Sequence, residues 1–293
     1  MKNSRQTANA PRRCFSSLFM GASASKPSRN APIGVFDSGL GGLTIVREIR
    51  RSLPSESIVY FGDIARLPYG TKSREQIKRF SDENARFLAA RGIKALVIAC
   101  NSSSSAAFRY LKSRFDFPVI DVISPAVGEA LRGTRTGRIG VIGTSATIES
   151  GAYERALHSK KKGLKVFSIS CPLFVPIVEE GMFREAVAHE MIRYYLKPLQ
   201  KQRVDTLILG CTHYPLMKAA LSRFFGSGVQ LIDSASPSVR NLGEVLEKSG
   251  LRARRRISGR LRLYVSDLPR NFIRVGEAFL KERLTHLQVV RQA

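Results

Sequence analysis

The feature of this sequence that most constrains its fold is an internal repeat of a strand, a loop of small residues and a helix. The segment "PIGVFDSGLGGLTIVREI" is matched farther along by "RIGVIGTSATIESGAYERAL", and "KALVIACNSSSSAAFRYL" is matched by "DTLILGCTHYPLMKAAL". The spacings agree, because Ile33 and Cys100 lie 67 positions apart and Ile139 and Cys211 lie 72 apart. Such self-similarity predicts two copies of one α/β unit, each ending a strand in a cysteine.

The segments between these motifs also alternate between strand and helix patterns. "SIVYFGD" and "FPVIDVI" are predicted strands, and "REQIKRFSDENARFLAARG" is a predicted helix. Strands that alternate with helices and are apolar along their length indicate a parallel sheet covered on both faces. The predicted fold class is therefore α/β, with two pseudo-symmetric parallel-sheet domains and the active site in the cleft between them.

Length and cysteine usage exclude several classes of protein. A chain of 293 residues with 43% hydrophobic content can form two domains of ordinary size. No apolar run approaches the roughly 20 residues that a membrane-spanning helix needs. The four cysteines are widely spaced, and apart from Cys211-Thr-His213 they form no ligand spacing with the four histidines. They predict free thiols in a reducing, cytoplasmic compartment and no metal site.

The net charge of +25 is spread along the whole chain. A basic surface is typical of nucleic-acid binding, but the sequence has no helix-turn-helix, zinc finger or aromatic-interleaved basic strand. A solvated basic surface, which would also attract a small dianionic substrate, is the favoured interpretation. Residues 1–30 contain no acidic residue and many Ser, Ala and Asn, which predicts a disordered or targeting-like N-terminal extension.

Both repeated cysteines are predicted to lie at the carboxyl end of a parallel strand. Cys100 precedes "NSSSS" and Cys211 precedes "THY". Ligands of α/β sheets bind at this edge, where helix N-termini offer free N–H groups and the positive end of the helix dipole. We expect the dipole to lower the pKa of such a thiol toward the working range. If the two copies face each other about a pseudo-twofold axis, the thiols flank one cleft from opposite sides.

Two opposed thiols favour a particular chemistry. A Cys–His nucleophile pair would need only one cysteine, and a redox pair would need both sulfurs within bonding distance. Racemisation needs a base on one face of a stereocentre and an acid on the other, so the symmetry of the site matches that of the reaction. Polar residues in the neighbouring loops suit the carboxylates and ammonium of an amino acid. They are Asp37, Ser38, Asp63, Tyr69, Gly70, Asn101, Ser102, Ser103, Thr144, Thr212 and His213.

Four of these residues also have a purely structural interpretation. Ser38 and Thr144 are equally typical of loop or helix-cap residues. Asp63 is also typical of a turn, and Tyr69 in "LPYG" of a packed tight turn.

Six stretches, in order over roughly residues 32–235, resemble glutamate racemase of the cofactor-independent aspartate/glutamate racemase family. They are "IGVFDSGLGGLTIVREI", "YFGDIARLPYG", "LVIACNSSS", "GVIGTSATIESGAY", "CPLFVPIVEEG" and "DTLILGCTHYPLM". The resemblance implies an isomerase that interconverts L- and D-glutamate and supplies D-glutamate for peptidoglycan. It implies no pyridoxal phosphate, no metal, and an active unit that is a homodimer or a monomer.

The resemblance also assigns roles to residues of this chain. Cys100 would act on the proton of D-glutamate and Cys211 on that of L-glutamate. Asp37 would assist Cys100, His213 would assist Cys211, and Glu179 of "VEEG" would be an auxiliary acid. The residues implied to hold the substrate are Asp37, Ser38, Tyr69, Gly70, Asn101, Ser102, Thr212 and His213, which Thr144 joins by its position in the repeat.

The family fold implies an inserted middle domain. One domain would combine residues 31–124 with 234–293, and the other would span residues 125–233. The sequence departs from the family where "CNSSS" replaces the usual "CNTAS". Ser102 keeps the hydroxyl group and loses a methyl group, so a contact weakens while the role survives.

Two alternatives remain. Aspartate racemases of the same superfamily typically have a glutamate after "GCT", so His213 and the following "YPL" favour glutamate as the substrate. A secondary role in association with DNA or gyrase is suggested by the positive charge. Duplex binding would weaken steeply with rising salt, which separates the two functions experimentally.

Overall fold

A computed structural model of the chain describes residues 27–254, 257–284 and 286–290. Apart from residues 27–30, the extension predicted over residues 1–30 lies outside the described residues. The strands are β1 Ile33–Asp37, β2 Ile58–Gly62, β3 Ala95–Ile98, β4 Val119–Ile120, β5 Arg138–Gly143, β6 Lys165–Ser170, β7 Thr206–Gly210, β8 Gln230–Ile232, β9 Leu261–Val265 and β10 Leu287–Val289.

Eleven α-helices connect and flank these strands within the described ranges. They are α1 Leu43–Ser52, α2 Arg74–Ala89, α3 Asn101–Arg114, α4 Ile123–Gly133, α5 Ser145–Glu149, α6 Ala152–Lys160, α7 Phe174–Glu179, α8 Ala186–Lys201, α9 Lys218–Phe225, α10 Ala235–Lys248 and α11 Phe272–Leu280. Short 3-10 turns lie at Ile64–Arg66, Tyr69–Thr71 and Tyr214–Met217.

The strands form two wholly parallel sheets, and the repeat is visible in their order. The first sheet runs β10-β9-β2-β1-β3-β4 and the second runs β6-β5-β7-β8. The order β2-β1-β3-β4 therefore recurs as β6-β5-β7-β8, with β1 equivalent to β5 and β3 to β7. Registers agree as well, since Phe36 pairs with Ile98 and Ile142 pairs with Leu209. The predicted α/β class with two parallel-sheet units is confirmed.

The central strands are buried on both faces, as the apolar runs predicted. Every residue of β1, β2, β3 and β7 is buried. Helices cover both sides of each sheet because the parallel connections place them there. A single apolar cluster reaches from Ile33 of the first sheet to Leu207 of the second, so the two sheets share part of their core.

The C-terminal region completes the first sheet. Strand β9 pairs in parallel with β2, and β10 pairs with β9. We propose the domain division given above, residues 31–124 with 234–293 and residues 125–233, because the strands of the two sheets divide along those lines.

A buried ion pair fixes the end of the first sheet opposite the cleft. Lys94 immediately precedes β3, and its ammonium group pairs with the carboxylate of Glu56; both side chains are almost fully inaccessible. The ammonium group also donates to the carbonyl oxygens of Arg29, at 2.6 Å, and Leu251, at 2.8 Å. Glu56 accepts from the backbone N–H of Ala253 at 2.8 Å. Four segments that are distant in sequence, around Arg29, Glu56, Lys94 and residues 251–253, are thereby joined at the amino ends of the strands.

Among the helices of the described part of the chain, none combines the length and the apolar character that crossing a bilayer demands.

Candidate active site

The two repeated cysteines line one small cavity between the two sheets. The cavity lies at the carboxyl ends of the strands and has a volume of about 20 Å³. Of the predicted site residues it is lined by Ser38, Tyr69, Gly70, Cys100, Asn101, Ser102, Thr144, Cys211, Thr212 and His213. Asp37 and Glu179 do not line the cavity themselves but contact residues that do: Asp37 contacts Thr212, and Glu179 contacts His213. The structure therefore brings these twelve predicted residues together, whereas Asp63 and Ser103 do not line the cavity.

Cys100 caps helix α3 and faces the loop after β1. Its Sγ accepts from the backbone N–H of Ser103 at 3.5 Å and lies 3.5 Å from the Ser38 hydroxyl. Burial, together with the nearby carboxylate of Asp37, raises the pKa of the Cys100 thiol to about 11. The expectation of a pKa lowered by the helix dipole was wrong for this closed cleft, because desolvation of the thiolate outweighs the N-terminal N–H.

Asp37 joins the two halves of the cleft. Its carboxylate accepts from the backbone N–H of Gly42 at 2.8 Å and from the hydroxyl of Thr212, on the other sheet, at 3.2 Å. Complete burial raises the pKa of Asp37, although the charge of His213 and these hydrogen bonds act in the opposite direction. The pKa of Asp37 therefore depends on groups from both sides of the cleft.

Cys211 has a different set of supporting groups. Its Sγ lies 3.8 Å from Nδ1 of His213, and Nε2 of the same ring lies 3.0 Å from the Glu179 carboxylate. Burial lowers the pKa of His213, but the interactions with Cys211 and Glu179 outweigh it and raise the pKa well above its ordinary value. A protonated His213 would place a positive charge beside the sulfur, where it stabilises a thiolate.

The chain after Cys211 differs from the prediction. A helix was expected to start directly after the cysteine, as α3 does after Cys100. Instead, Cys211 is followed by a turn and the 3-10 segment Tyr214–Met217, and helix α9 begins only at Lys218. Pro215 lies within that 3-10 segment and has no N–H to donate, which disfavours a regular α-helix there.

Hydroxyl and amide groups also meet across the cleft. The hydroxyl groups of Ser102 and Thr144 lie 2.9 Å apart, and Thr147 lies within hydrogen-bond distance of both. Asn101 accepts from the hydroxyl of Tyr153 at 2.6 Å through its Oδ1. Its Nδ2 is buried and has no hydrogen-bond partner among the described residues.

Tyr69 and Asp63 form a network at the edge of the cleft. The Tyr69 hydroxyl donates to the Asp63 carboxylate and accepts from Asn84 at 3.1 Å. Asp63 also pairs with Arg66 and accepts from Ser266 at 3.1 Å. Asp63 is thus fully engaged within the first sheet, which agrees with its interpretation as a structural residue. Tyr69, in contrast, is among the residues that line the cavity.

Sequence reasoning missed five residues at this site. Leu67, Pro68 and Val175 contribute apolar surface to the cavity, while Thr147 and Tyr153 hold other members of it. Thr147 and Tyr153 both fall in the repeated stretch "GTSATIESGAY", so their proximity to the cleft was detectable. The apolar residues that line the cavity could not be identified in this way, because in a sequence they cannot be distinguished from residues of the hydrophobic core.

Replacing Gly70 with alanine is expected to impair the closed cleft. A Cβ at position 70 would lie 2.6 Å from Cβ of Thr144, so the two walls would have to separate. We expect kcat/KM of the reaction proposed below to fall about tenfold, or about 1.4 kcal/mol, with the thermal midpoint nearly unchanged. Gly228→Ala is the matched control, because within the described part of the chain no atom beyond its two sequence neighbours lies within 4 Å of its added Cβ. Equal kinetics for Gly70→Ala and Gly228→Ala would contradict the expected collision.

Comparison with known proteins agrees with this geometry. The model of the Asp/Glu/Hydantoin racemase family matches residues 35–242. The matched residues span strands of both parallel sheets. The chain therefore belongs to the Asp/Glu/Hydantoin racemase family and is an isomerase.

Individual relatives of this chain indicate which members of the family it is similar to. A glutamate racemase of Geobacter metallireducens is 47% identical over 252 residues, covering 86% of this chain and 93% of the relative. One of Aquifex aeolicus is 48% identical, with 86% and 95% covered. The crystal structure of the Francisella tularensis glutamate racemase in complex with D-glutamate superposes with a TM-score of 0.84, at 41% identity, covering 89% and 98%. Within its family, the chain belongs with the glutamate racemases.

Proposed function

We propose that the protein interconverts L- and D-glutamate by proton transfer at Cα between the substrate and two cysteines. The observation that carries this proposal is that Cys100 and Cys211, contributed by different sheets, line the same cavity. In each direction one thiolate takes the α-proton, and the C–H bonding pair stays on the substrate as a carbanion. The opposite thiol then delivers its own proton to the other face, so that no net proton is consumed.

The groups around the two cysteines are consistent with one acting as the acid and the other as the base. Cys100, whose pKa is raised to about 11, is well suited to remain the protonated acid when L-glutamate is the substrate. Cys211 lies beside His213, whose positive charge would stabilise its thiolate as the base. Cys100 would then act on the proton of D-glutamate and Cys211 on that of L-glutamate. Asp37 would assist Cys100, and Glu179 would hold His213.

The polar groups of the cavity would bind the substrate. Ser38, Tyr69, Gly70, Asn101, Ser102, Thr144, Thr212 and His213 surround it. Glutamate rather than aspartate is the proposed substrate because the relatives compared above are glutamate racemases, and one of them was solved in complex with D-glutamate. The product D-glutamate would supply peptidoglycan synthesis, as the family resemblance implies.

Substrate entry requires the cleft to open. A cavity of about 20 Å³ can hold roughly one water molecule and not an amino acid. The cross-cleft contacts Asp37–Thr212 and Ser102–Thr144 would therefore separate as glutamate enters and be replaced by contacts with its polar groups. Closure around the bound substrate would exclude bulk water from the carbanion.

Incubation of the purified protein with L-glutamate in D2O, without added pyridoxal phosphate, tests the proposed function. We expect loss of optical rotation and incorporation of deuterium at Cα, starting from either enantiomer. L- and D-aspartate serve as the comparison substrates, and we expect them to react far more slowly. Absence of both racemisation and solvent label with glutamate would refute the proposal.

The pH dependence of kcat provides a separate prediction about Glu179. One thiol must be ionised and the other protonated in each direction, so the profile is expected to be bell-shaped. Glu179 helps to raise the pKa of His213. In Glu179→Gln that pKa is expected to fall, so His213 loses its charge at lower pH and the alkaline limb of kcat moves about one pH unit downward.

Glu180→Gln is the matched control for this experiment. It removes a carboxylate from the adjacent position, but that carboxylate accepts from Asn271 at 3.1 Å instead of contacting His213. Its kcat profile is expected to coincide with that of the unmodified protein. A profile of Glu179→Gln that also coincides would show that Glu179 does not set the protonation of His213.

A further inference from the structure

Tyr153 contacts the residue next to each of the two cysteines. Its hydroxyl donates to Oδ1 of Asn101, which follows Cys100, at 2.6 Å across the cleft. Its ring lies against Gly210, which precedes Cys211. A Cβ on Gly210 would be 3.0 Å from Cε2 of the ring, so glycine is what permits this close approach. Tyr153 is almost fully buried at the start of α6 and does not itself line the cavity.

The hydrogen bond from Tyr153 determines how the amide of Asn101 is oriented. Burial raises the pKa of Tyr153, so the phenol stays protonated and acts as a donor at every working pH. With Oδ1 occupied by this donor, the Nδ2 group is the free end of the amide. Nδ2 is buried without a partner among the described residues, and Asn101 lines the cavity. A buried N–H group without an acceptor is costly, which favours an incoming anionic oxygen.

We propose that Tyr153 is a positioning residue that fixes the Asn101 amide with its N–H donor toward the cavity, where it binds a carboxylate group of the substrate. This inference rests on the proposed function. Because the bond joins α6, beside the second sheet, to α3, beside the first, opening of the cleft would break it. Tyr153 thereby couples closure of the cleft to recognition of the carboxylate.

Tyr153→Phe tests this role while preserving the ring against Gly210. Without the hydroxyl, the Asn101 amide is free to rotate and to present Oδ1 to the substrate, which repels a carboxylate. We expect KM for L- and D-glutamate to rise about tenfold and kcat to change less than about threefold. Asn101→Ala is expected to raise KM at least as much. In the Tyr153→Phe/Asn101→Ala double variant, KM should equal that of Asn101→Ala alone, because the hydroxyl acts only through the amide.

Tyr195→Phe is the matched control. It removes a tyrosine hydroxyl that is hydrogen-bonded to the backbone of Leu173, and Tyr195 does not line the cavity. Its KM is expected to remain unchanged, and thermal unfolding of each variant verifies the fold. Effects of Tyr153→Phe and Asn101→Ala that multiply, or an unchanged KM in Tyr153→Phe, would overturn the positioning role.

Calorimetric titration with D-glutamate separates this inference from the proposed function. If the unmodified protein binds D-glutamate but does not racemise it, the proposed function fails while the positioning role can still be measured as weaker binding by Tyr153→Phe. If racemisation is normal and Tyr153→Phe binds D-glutamate as tightly as the unmodified protein, only the positioning role fails.

Discussion

Cys100→Ser and Cys211→Ser are each expected to lower kcat/KM for glutamate racemisation about 10³-fold or more. Serine keeps the size and hydrogen bonds of the side chain, but its hydroxyl is too weak an acid to exist as an alkoxide near neutral pH. Cys171→Ser is the control, since Cys171 is buried on the second sheet outside the cavity. It is expected to racemise glutamate at close to the unmodified rate.

Thermodynamics adds an internal check to this experiment. Because two enantiomers have equal free energies, kcat/KM must be the same in both directions, and each variant must lose it equally for L- and D-glutamate. Exchange of the α-proton with D2O is not restricted in this way. Cys211→Ser retains Cys100 and should label D-glutamate preferentially, while Cys100→Ser should label L-glutamate. Activity within tenfold of the unmodified protein in either variant would contradict the two-cysteine mechanism.

Glu56→Gln is expected to lower the free energy of unfolding by about 3–5 kcal/mol, because it leaves the Lys94 ammonium group buried without its counter-charge. Glutamine can still accept from Ala253, so the loss reports mainly the missing charge. Chemical denaturation monitored by circular dichroism measures the change. Racemisation by the folded variant should persist, since the pair lies at the amino ends of the strands and the cleft at their carboxyl ends.

Two further variants define the outcome of this stability experiment. Glu56→Gln combined with Lys94→Met removes both charges and is expected to be more stable than Glu56→Gln alone. Glu190→Gln removes an ion-pair partner that is about 60% exposed, and it should change the free energy of unfolding by less than about 0.5 kcal/mol. A loss below about 1 kcal/mol in Glu56→Gln would contradict the assigned importance of the buried pair.

The sheet architecture was predictable because repeated apolar runs leave few alternatives. Parallel strands must be buried on both faces, and the duplicated motif implied that β1 and β3 recur as β5 and β7. The terminal strands β9 and β10 were not readable from pattern alone. Both are only partly buried, and β9 carries Arg262 at its second position, so they lack the continuous apolar signal of the central strands.

The location of the candidate site was more predictable than its electrostatics. Cys100, Cys211 and their neighbours follow strand ends, and strand ends of a parallel sheet meet at one edge. The raised pKa of Cys100 was not predictable, because it depends on how completely the opposite wall excludes water. The contact between Tyr153 and Asn101 was not predictable for a related reason, since it joins residues 52 positions apart, on helices that flank different sheets.

The unequal surroundings of the two cysteines bear on the design of inhibitors. The cleft is built from two copies of one unit, yet Cys100 lies near Ser38 and Asp37, while Cys211 lies beside His213, whose other ring nitrogen contacts Glu179. A molecule of fixed handedness that mimics one enantiomer places its reactive carbon toward only one of these walls. An electrophile built on the D-scaffold and its mirror image should therefore alkylate different cysteines at different rates, so the handedness of a warhead selects its target within a single cleft.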